Sequence, residues 1–162
     1  MTSFRVGTGY DAHPLVPGRR LMLGGVHIPH EKGLEGHSDS DVVCHAIVDA
    51  LLGAAGLGDI GTFFPPSDAR YKDAPSLTFV EFTAKKLAEA RWRIGNVDVT
   101  IIAQHPRMSP HVPEMRKRLS AALGIEPARL GIKSKSTNGL GFEGRSEGIA
   151  AQAVALIEQA TS

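Results

Sequence analysis

Asp11 and His13 stand two residues apart in Arg5-Val-Gly-Thr-Gly-Tyr-Asp-Ala-His13, and His45 closes the stretch His37-Ser-Asp-Ser-Asp-Val-Val-Cys-His45. One carboxylate and two imidazoles can hold a divalent metal while leaving a coordination position open, which is what a catalytic site needs. The mixed nitrogen and oxygen set suits zinc, with iron and manganese as competitors. Taken singly, an Asp-x-His pair is more often an ordinary surface or core pair than a metal site. The surrounding elements therefore have to decide.

Three further constellations could meet an anion. His37-Ser38 precedes an expected helix, whose backbone N–H groups and dipole can receive a phosphate; equally, Ser38 can simply cap that helix. The run Lys133-Ser-Lys-Ser-Thr-Asn-Gly-Leu-Gly-Phe-Glu-Gly-Arg145 reads as a strand leading into a glycine-rich loop. There, backbone amides, hydroxyls and cations could approach phosphate oxygens, with a plain turn carrying solvated lysines as the alternative. Ala103-Gln-His-Pro-Arg-Met-Ser109 forms the irregular end of a strand, where backbone groups could read the edge of a base. The loop does not match a Walker pattern, and neither Cys44 nor any serine has a G-x-S-x-G setting. Covalent catalysis is therefore not favoured.

The elements that must position these groups can be read from periodicity. Residues 4–9 predict a strand whose continuation puts Asp11 and His13 on one side. Residues 20–30, centred on Gly24-Gly25, predict a short, peripheral hairpin. A helix from Ser38 or Asp39 to about Gly56 carries Val43, Ile47, Ala50, Leu51 and Ala54 on its apolar face. Off that face Asp41, His45 and Asp49 share a stripe, so that carboxylates flank the histidine and could fix its tautomer. Residues 58–75 form a connection long enough to be a binding loop or lid.

A second helix is expected over 76–91, with Leu77, Val80, Ala84, Leu87 and Ala88 inward. Residues 97–103 predict the clearest strand. Ser109-Pro110 predicts the cap of a third helix, through Val112, Met115, Leu119 and Leu123 to Gly124. A strand over 129–136 follows. A last helix is expected over 147–160, through Ile149, Ala153, Leu156, Ile157 and Ala160. The sum is an α+β fold, an α/β two-layer sandwich with one mixed sheet and helices on one face, in a single domain over residues 1–162.

The composition fits that reading. The chain has 162 residues, 42% of them hydrophobic and 22% charged, as in a folded globular domain. Lys plus Arg total 18 against 17 for Asp plus Glu, so a net charge of +1 argues against a nucleic-acid binder working by general attraction. The single cysteine excludes an intrachain disulfide. Without a leader pattern or a transmembrane-length apolar run, the cytoplasm is the expected location, with a mature plastid form as an alternative, and no membrane is expected as a partner.

Asp-x-His, His-Ser-Asp-x-Asp-x-x-x-His, Gly-Leu-Gly-Asp-Ile-Gly, Asn-Val-Asp-Val-Thr-Ile-Ile-Ala-Gln and Gly-Leu-Gly-Phe-x-Gly-Arg-x-Glu-Gly occur in this order from Gly7 to Ala153. Together they closely resemble the 2-C-methyl-D-erythritol 2,4-cyclodiphosphate synthase family. The resemblance implies a cyclising phosphorus-oxygen lyase of the non-mevalonate isoprenoid route. Its substrate would be 4-diphosphocytidyl-2-C-methyl-D-erythritol 2-phosphate, and its products the cyclic diphosphate and CMP. It also implies a homotrimer with active sites between subunits.

Residue by residue, the resemblance implies that Asp11, His13 and His45 hold zinc or another divalent transition metal. His37 and Ser136 match catalytic, transition-state-stabilising positions. Asp11, Ala12 and His13 also match substrate-binding positions, and His37 and Ser38 would touch the substrate phosphate. Asp59, Ile60 and Gly61 match the methylerythritol contacts, and Phe64, Pro65, Pro66, Ser67 and Asp68 continue that mobile wall. Ala103, Gln104, His105, Pro106, Arg107, Met108 and Ser109 match one side of the cytidine and diphosphate pocket. Lys135, Ser136, Thr137 and Asn138 match the other. Phe142 and Arg145 would lie near the centre of the assembly.

Two positions depart from the family pattern. Ser136 stands where members often have Thr, which keeps the hydroxyl. Asn138 stands where many have Glu or Asp, a residue associated with a second cation, magnesium or manganese, between the phosphates; Asn keeps the oxygen and loses the charge. Two other classes remain as competitors: a non-catalytic nucleotide or phosphometabolite binder, which would need no open metal position, and a zinc-dependent phosphohydrolase.

Overall fold

The computed structural model describes residues 3–161. The first half contains β1 (Phe4–Pro17), β2 (Leu21–Leu23), β3 (Val26–Ile28), β4 (Lys32–Leu34), α1 (Val42–Ala55) and the short α2 (Ile60–Phe63). The second half contains α3 (Leu77–Glu89), β5 (Trp92–Ile102), α4 (Val112–Leu123), β6 (Leu130–Lys135), the short α5 (Gly141–Gly144) and β7 (Gly148–Gln159). Five strands form one mixed sheet in the order β4-β1-β7-β5-β6, in which only β5 and β6 run parallel. Helices α1, α3 and α4 cover one face, and the core lies between them and the sheet. Among the described residues no helix is long and apolar enough to cross a membrane.

Small residues let α1 press onto the sheet. A Cβ added at Gly7 would collide with the Ala50 carbonyl, and one at Gly9 with the Ala46 carbonyl. Beside them, Gly9 pairs with Ala153, Gly7 with Ala155 and Asp11 with Ala151, so alanines of β7 continue the same thin face. This is where the sequence reading of a helix over 147–160 fails. The segment is the central strand β7, and Ile149, Ala151, Ala153, Ala155 and Ile157 are fully buried at period two. Its alanines mimic helix propensity, but they are there because a bulkier side chain would hold α1 off the sheet.

Other expectations shift in register. The strand expected over 4–9 runs on to Pro17, straight through Asp11 and His13, and β5 begins at Trp92 rather than 97. The hairpin β2–β3 turns on Gly24 and Gly25, both at positive φ, as a two-residue turn requires. It is not peripheral, because Leu21, Leu23 and Ile28 are buried in the core. In α3 the buried face is Phe79, Val80, Thr83 and Leu87, while Ala88 is exposed. Ser109-Pro110 belongs to a single helical turn ahead of α4 and makes no side-chain cap.

Candidate metal centre and anion pocket

Because β1 stays extended, Asp11 and His13 both face α1, and His45 at the end of the first turn of that helix meets them there. Asp11 Oδ2 lies 3.1 Å from His13 Nε2 and 2.9 Å from His45 Nδ1. One ligand atom from each of the three residues falls within 4.8 Å of the other two. Donors on a tetrahedral zinc with bonds of about 2.0–2.1 Å stand roughly 3.3 Å apart, so the two separations from Asp11 are within a few tenths of an ångström of what the ion requires. Burial pushes the Asp11 carboxyl up, yet the hydrogen bonds from both imidazoles outweigh it and hold its pKa at about 2. The His13 pKa is raised, chiefly by its bond to Asp11 and against the effect of burial.

Each imidazole is also held from behind. His13 Nδ1 lies 2.7 Å from the Glu35 carbonyl, and so donates there and leaves Nε2 free for a metal. His45 Nε2 lies 2.8 Å from Ser76 Oγ and 3.2 Å from Ser38 Oγ. The Ser76 hydroxyl in turn donates to Asp39 Oδ1, and Asp39 Oδ2 accepts from the Ser76 amide at 3.0 Å. Phe79 stacks on the His45 ring, with centroids 6.3 Å apart.

The flanking carboxylates on α1 do not do this work. Asp41, fully buried, caps α1 through Val43 N and Cys44 N, and also accepts from Gly24 N at 2.9 Å and Gly25 N at 2.7 Å. It ties the hairpin to the helix. Asp49 accepts from Ile60 N at 2.8 Å. Behind the ring, on the Nε2 side, the carboxylate that reaches His45 is Asp39, by way of Ser76, and the sequence reading assigns neither residue to the site. A signal existed: Ser76 follows Pro75 at the start of α3, yet its hydroxyl makes no cap bond and is diverted to the site.

The same cap changes the reading of His37-Ser38. The first amides of α1 are already taken by Asp41, and the buried Ser38 hydroxyl faces His45, Ser76 and the Ser40 amide. Ser38 therefore does not cap α1. His37 Nε2 lies 2.8 Å from the Asp68 carbonyl, and the His37 carbonyl accepts from Asp73 N at 2.7 Å. The 58–75 connection is thus built rather than slack. Asp59 caps α2, which contains Ile60 and Gly61, in a reciprocal bond pair with Thr62. Phe64 stacks on Phe79 at 4.1 Å, carrying the aromatic contact on to His45. Pro65 is half-buried, Pro66 and Ser67 are exposed, and Asp68 pairs with Arg70.

The parallel pair β5–β6 ends in a second feature, a pocket of ≈ 300 Å³ lined by Ala103 to Met108 and by Ser134, Lys135 and Ser136. Gly139 N donates to Gln104 Oε1 at 3.3 Å, joining its two walls. Ser109, Thr137 and Asn138 do not line it; Ser109 accepts from Arg107, and the Thr137 hydroxyl donates to the Leu140 carbonyl. Of the three expected cations, Lys133 is paired with Asp98 and Arg145 with Glu147, and Lys135 alone lines the pocket. Phe142 packs against Gly148. Ala12 sits between Asp11 and His13 and pairs with Ala150, which pairs with Ile102, so triad and pocket lie at the same end of the sheet. A larger cleft of ≈ 750 Å³ beside Trp92 lies at the other end and contains none of these residues.

Residues 4–158 match the YgbB family. Named 2-C-methyl-D-erythritol 2,4-cyclodiphosphate synthases are similar along almost the whole chain: that of Syntrophomonas wolfei is 57% identical, over 96% of this chain and 99% of its own. The Moorella thermoacetica protein is 55% identical over 94% of each. Among solved structures, the bifunctional IspDF of Campylobacter jejuni superposes with a TM-score of 0.94 at 34% identity, covering 98% of this chain and 43% of that one. A CDP complex of Plasmodium falciparum IspF superposes with a TM-score of 0.86 at 33% identity over 98% of each.

Proposed function

The chain belongs to the YgbB family of 2-C-methyl-D-erythritol 2,4-cyclodiphosphate synthases, and on that premise we propose that it converts 4-diphosphocytidyl-2-C-methyl-D-erythritol 2-phosphate into the cyclic diphosphate and CMP. A 2-phosphate oxygen of the substrate attacks the β-phosphorus, the bond from that phosphorus to the bridging oxygen breaks, and CMP leaves with the electron pair. The nucleophile belongs to the substrate, which suits a site with no activated serine or cysteine. The protein's task is then to fold the substrate and neutralise charge, and holding an attack geometry can supply roughly 7–11 kcal/mol of the barrier. The observation that carries the reading is the Asp11, His13, His45 set, with one nitrogen of each imidazole turned toward the same carboxylate oxygen and the other held from behind.

A divalent cation held there supplies orientation and charge neutralisation for the diphosphate when bound; zinc fits the donor set. Lys135 and the backbone of 103–108 seat the cytidine diphosphate part. His37 and Ser136 stabilise the transferring phosphoryl group, and the 59–68 segment contacts the methylerythritol. Asn138 offers a carboxamide oxygen without charge, so magnesium or manganese is held mainly by the substrate's own phosphates. Residues 1–162 act as one domain in a cytoplasmic homotrimer, with active sites between subunits. In support, the uncovered sheet face bears Phe4, Val6, Tyr10 and Val154, 41–64% exposed, an apolar row suited to neighbouring copies.

Phosphorus NMR of the products, with and without a chelator, tests the reading. CMP and a cyclic diphosphate are expected, and both should be lost on chelation. A linear phosphate would identify a hydrolase, and binding without turnover a binding protein. Asn138→Glu should lower the magnesium concentration needed for half-maximal rate; an unchanged dependence would count against the assignment of the second cation.

A further inference from the structure

Residues 34–38 run alongside the triad and touch both of its histidines. The Glu35 carbonyl receives His13 Nδ1, and Ser38 Oγ lies against His45 Nε2. Gly36 packs so closely that an added Cβ would meet His13 Cε1 at 2.9 Å and the Ser40 hydroxyl still nearer. A strap this tight sets both ring orientations, so whatever holds the strap sets the site.

What holds it is Arg19, in the turn between β1 and β2. Its Nε donates to the Leu34 carbonyl at 3.1 Å, and its Nη2 to the carbonyls of Ser38 at 2.9 Å and Gly36 at 3.4 Å. The guanidinium takes the carbonyls of residues 34, 36 and 38, while the carbonyl of Glu35, between the first two, is turned to His13. Its Nη1 reaches Asp73 Oδ1 at 3.3 Å, and Asp73 N donates to the His37 carbonyl at 2.7 Å, so the same clamp also fixes the middle of the strap. Only a planar fork with several donors can serve three carbonyls and a carboxylate together; an ammonium cannot.

We infer that Arg19 is a positioning residue for the metal centre: it holds residues 34–38 in the path that orients His13 and His45, and thereby sets the affinity of the triad for a divalent cation. The inference rests on the metal-site reading above. Zinc affinity of the full chain, stripped by chelation, is measured by competition with a chromophoric chelator, and the site is viewed through the visible spectrum of bound cobalt.

Arg19→Lys should weaken zinc binding about 10-fold or more, within the 10–100-fold range seen when a group that orients ligands is lost. It should also alter the cobalt bands. Asp73→Asn leaves Arg19 in place and suits the positive φ of that position; it should give a shift of several-fold in the same direction. Arg129→Lys, which alters an arginine donating to the Gly95 carbonyl at the opposite end of the sheet, should leave both readouts unchanged. Zinc affinity within twofold of wild type in both Arg19→Lys and Asp73→Asn, whatever happens to melting, would make Arg19 a structural brace only and overturn the inference. Wild-type protein binding zinc no better than His45→Ala would instead overturn the metal reading, and this inference with it.

Discussion

The triad and the β5–β6 pocket sit at one end of the same sheet but are built differently. In the triad each imidazole has partners at both nitrogens, and His45 is 8% exposed. Around the pocket Ser134, Lys135, Ser136 and Asn138 are exposed, and Ser136 and Asn138 bond mainly to each other. The first region is shaped before anything binds. The second is held by few contacts of its own. Preorganisation costs stability to build and gives it back as affinity, so substitutions in the two regions should separate stability from binding.

The largest expected effect is on the wall behind the triad. Gly9→Ala drives a Cβ into the Ala46 carbonyl and must lift α1 from β1. Forced overpacking of this kind costs about 3 kcal/mol. At roughly 2–4 °C per kcal/mol for a chain of this size, the midpoint of thermal unfolding should fall by about 6–12 °C. The matching change at the pocket is Gly139→Ala, where an added Cβ meets nothing within 4 Å and only the positive φ, +81°, is strained. It should cost about 1 kcal/mol. Calorimetry that finds equal losses for the two would erase the distinction between a preformed region and a pliant one.

Next in size is Ser76→Ala, which leaves the Nε2 of His45 with only the longer contact to Ser38 and separates Asp39 from the ring. Zinc affinity should fall about 10-fold. The turnover rate at saturating zinc should stay close to wild type, since every ligand remains. If affinity is unchanged, Ser38 alone orients the ring and the Asp39–Ser76 relay contributes nothing.

How much of this was legible in the sequence follows the same division. Asp11 and His13 could be placed together because strand periodicity carries two residues to one side, and His45 because a helix with one apolar face was evident. The supports could not: Asp39 and Ser76 meet across 37 residues, and Arg19 reaches carbonyls, which have no sequence signature. Asp41 was misassigned for a related reason. A helix stripe predicts neighbours on the helix, whereas its carboxylate turned back to the amides of its own first turn and of the Gly24-Gly25 hairpin. The misread strand β7 shows the limit of propensity, because alanine there answers to the space left by α1 rather than to its own backbone preference.

At the pocket, Lys135→Ala should weaken cytidine diphosphate binding several-fold, about 1 kcal/mol for an exposed cation meeting a phosphate. The unfolding midpoint should stay where it is, because Lys135 is exposed at the end of β6 and packs against little. Isothermal titration measures the first and a thermal melt the second. A melt shifted as far as that of Gly9→Ala would show the pocket to be as preformed as the triad.

The smallest effect should come two residues earlier, and it is the sharpest check on which cations belong to the site. Lys133 points to the uncovered sheet face, where Nζ lies 2.6 Å from Asp98 Oδ2 across the β5–β6 pair, with both side chains about half exposed. A solvated pair of this kind contributes about 0–1 kcal/mol and is screened by salt. Alternation along a strand places Lys133 and Lys135 on the same side, so orientation alone does not separate them. What separates them is distance along the strand and the partner: Lys133 already has a carboxylate, while Lys135 stands at the strand end among the pocket residues. Lys133→Ala should therefore leave nucleotide affinity within twofold and the melt within about 2 °C. A loss of affinity equal to that of Lys135→Ala would mean that the anion extends along β6 and that the Lys133–Asp98 pair opens to receive it.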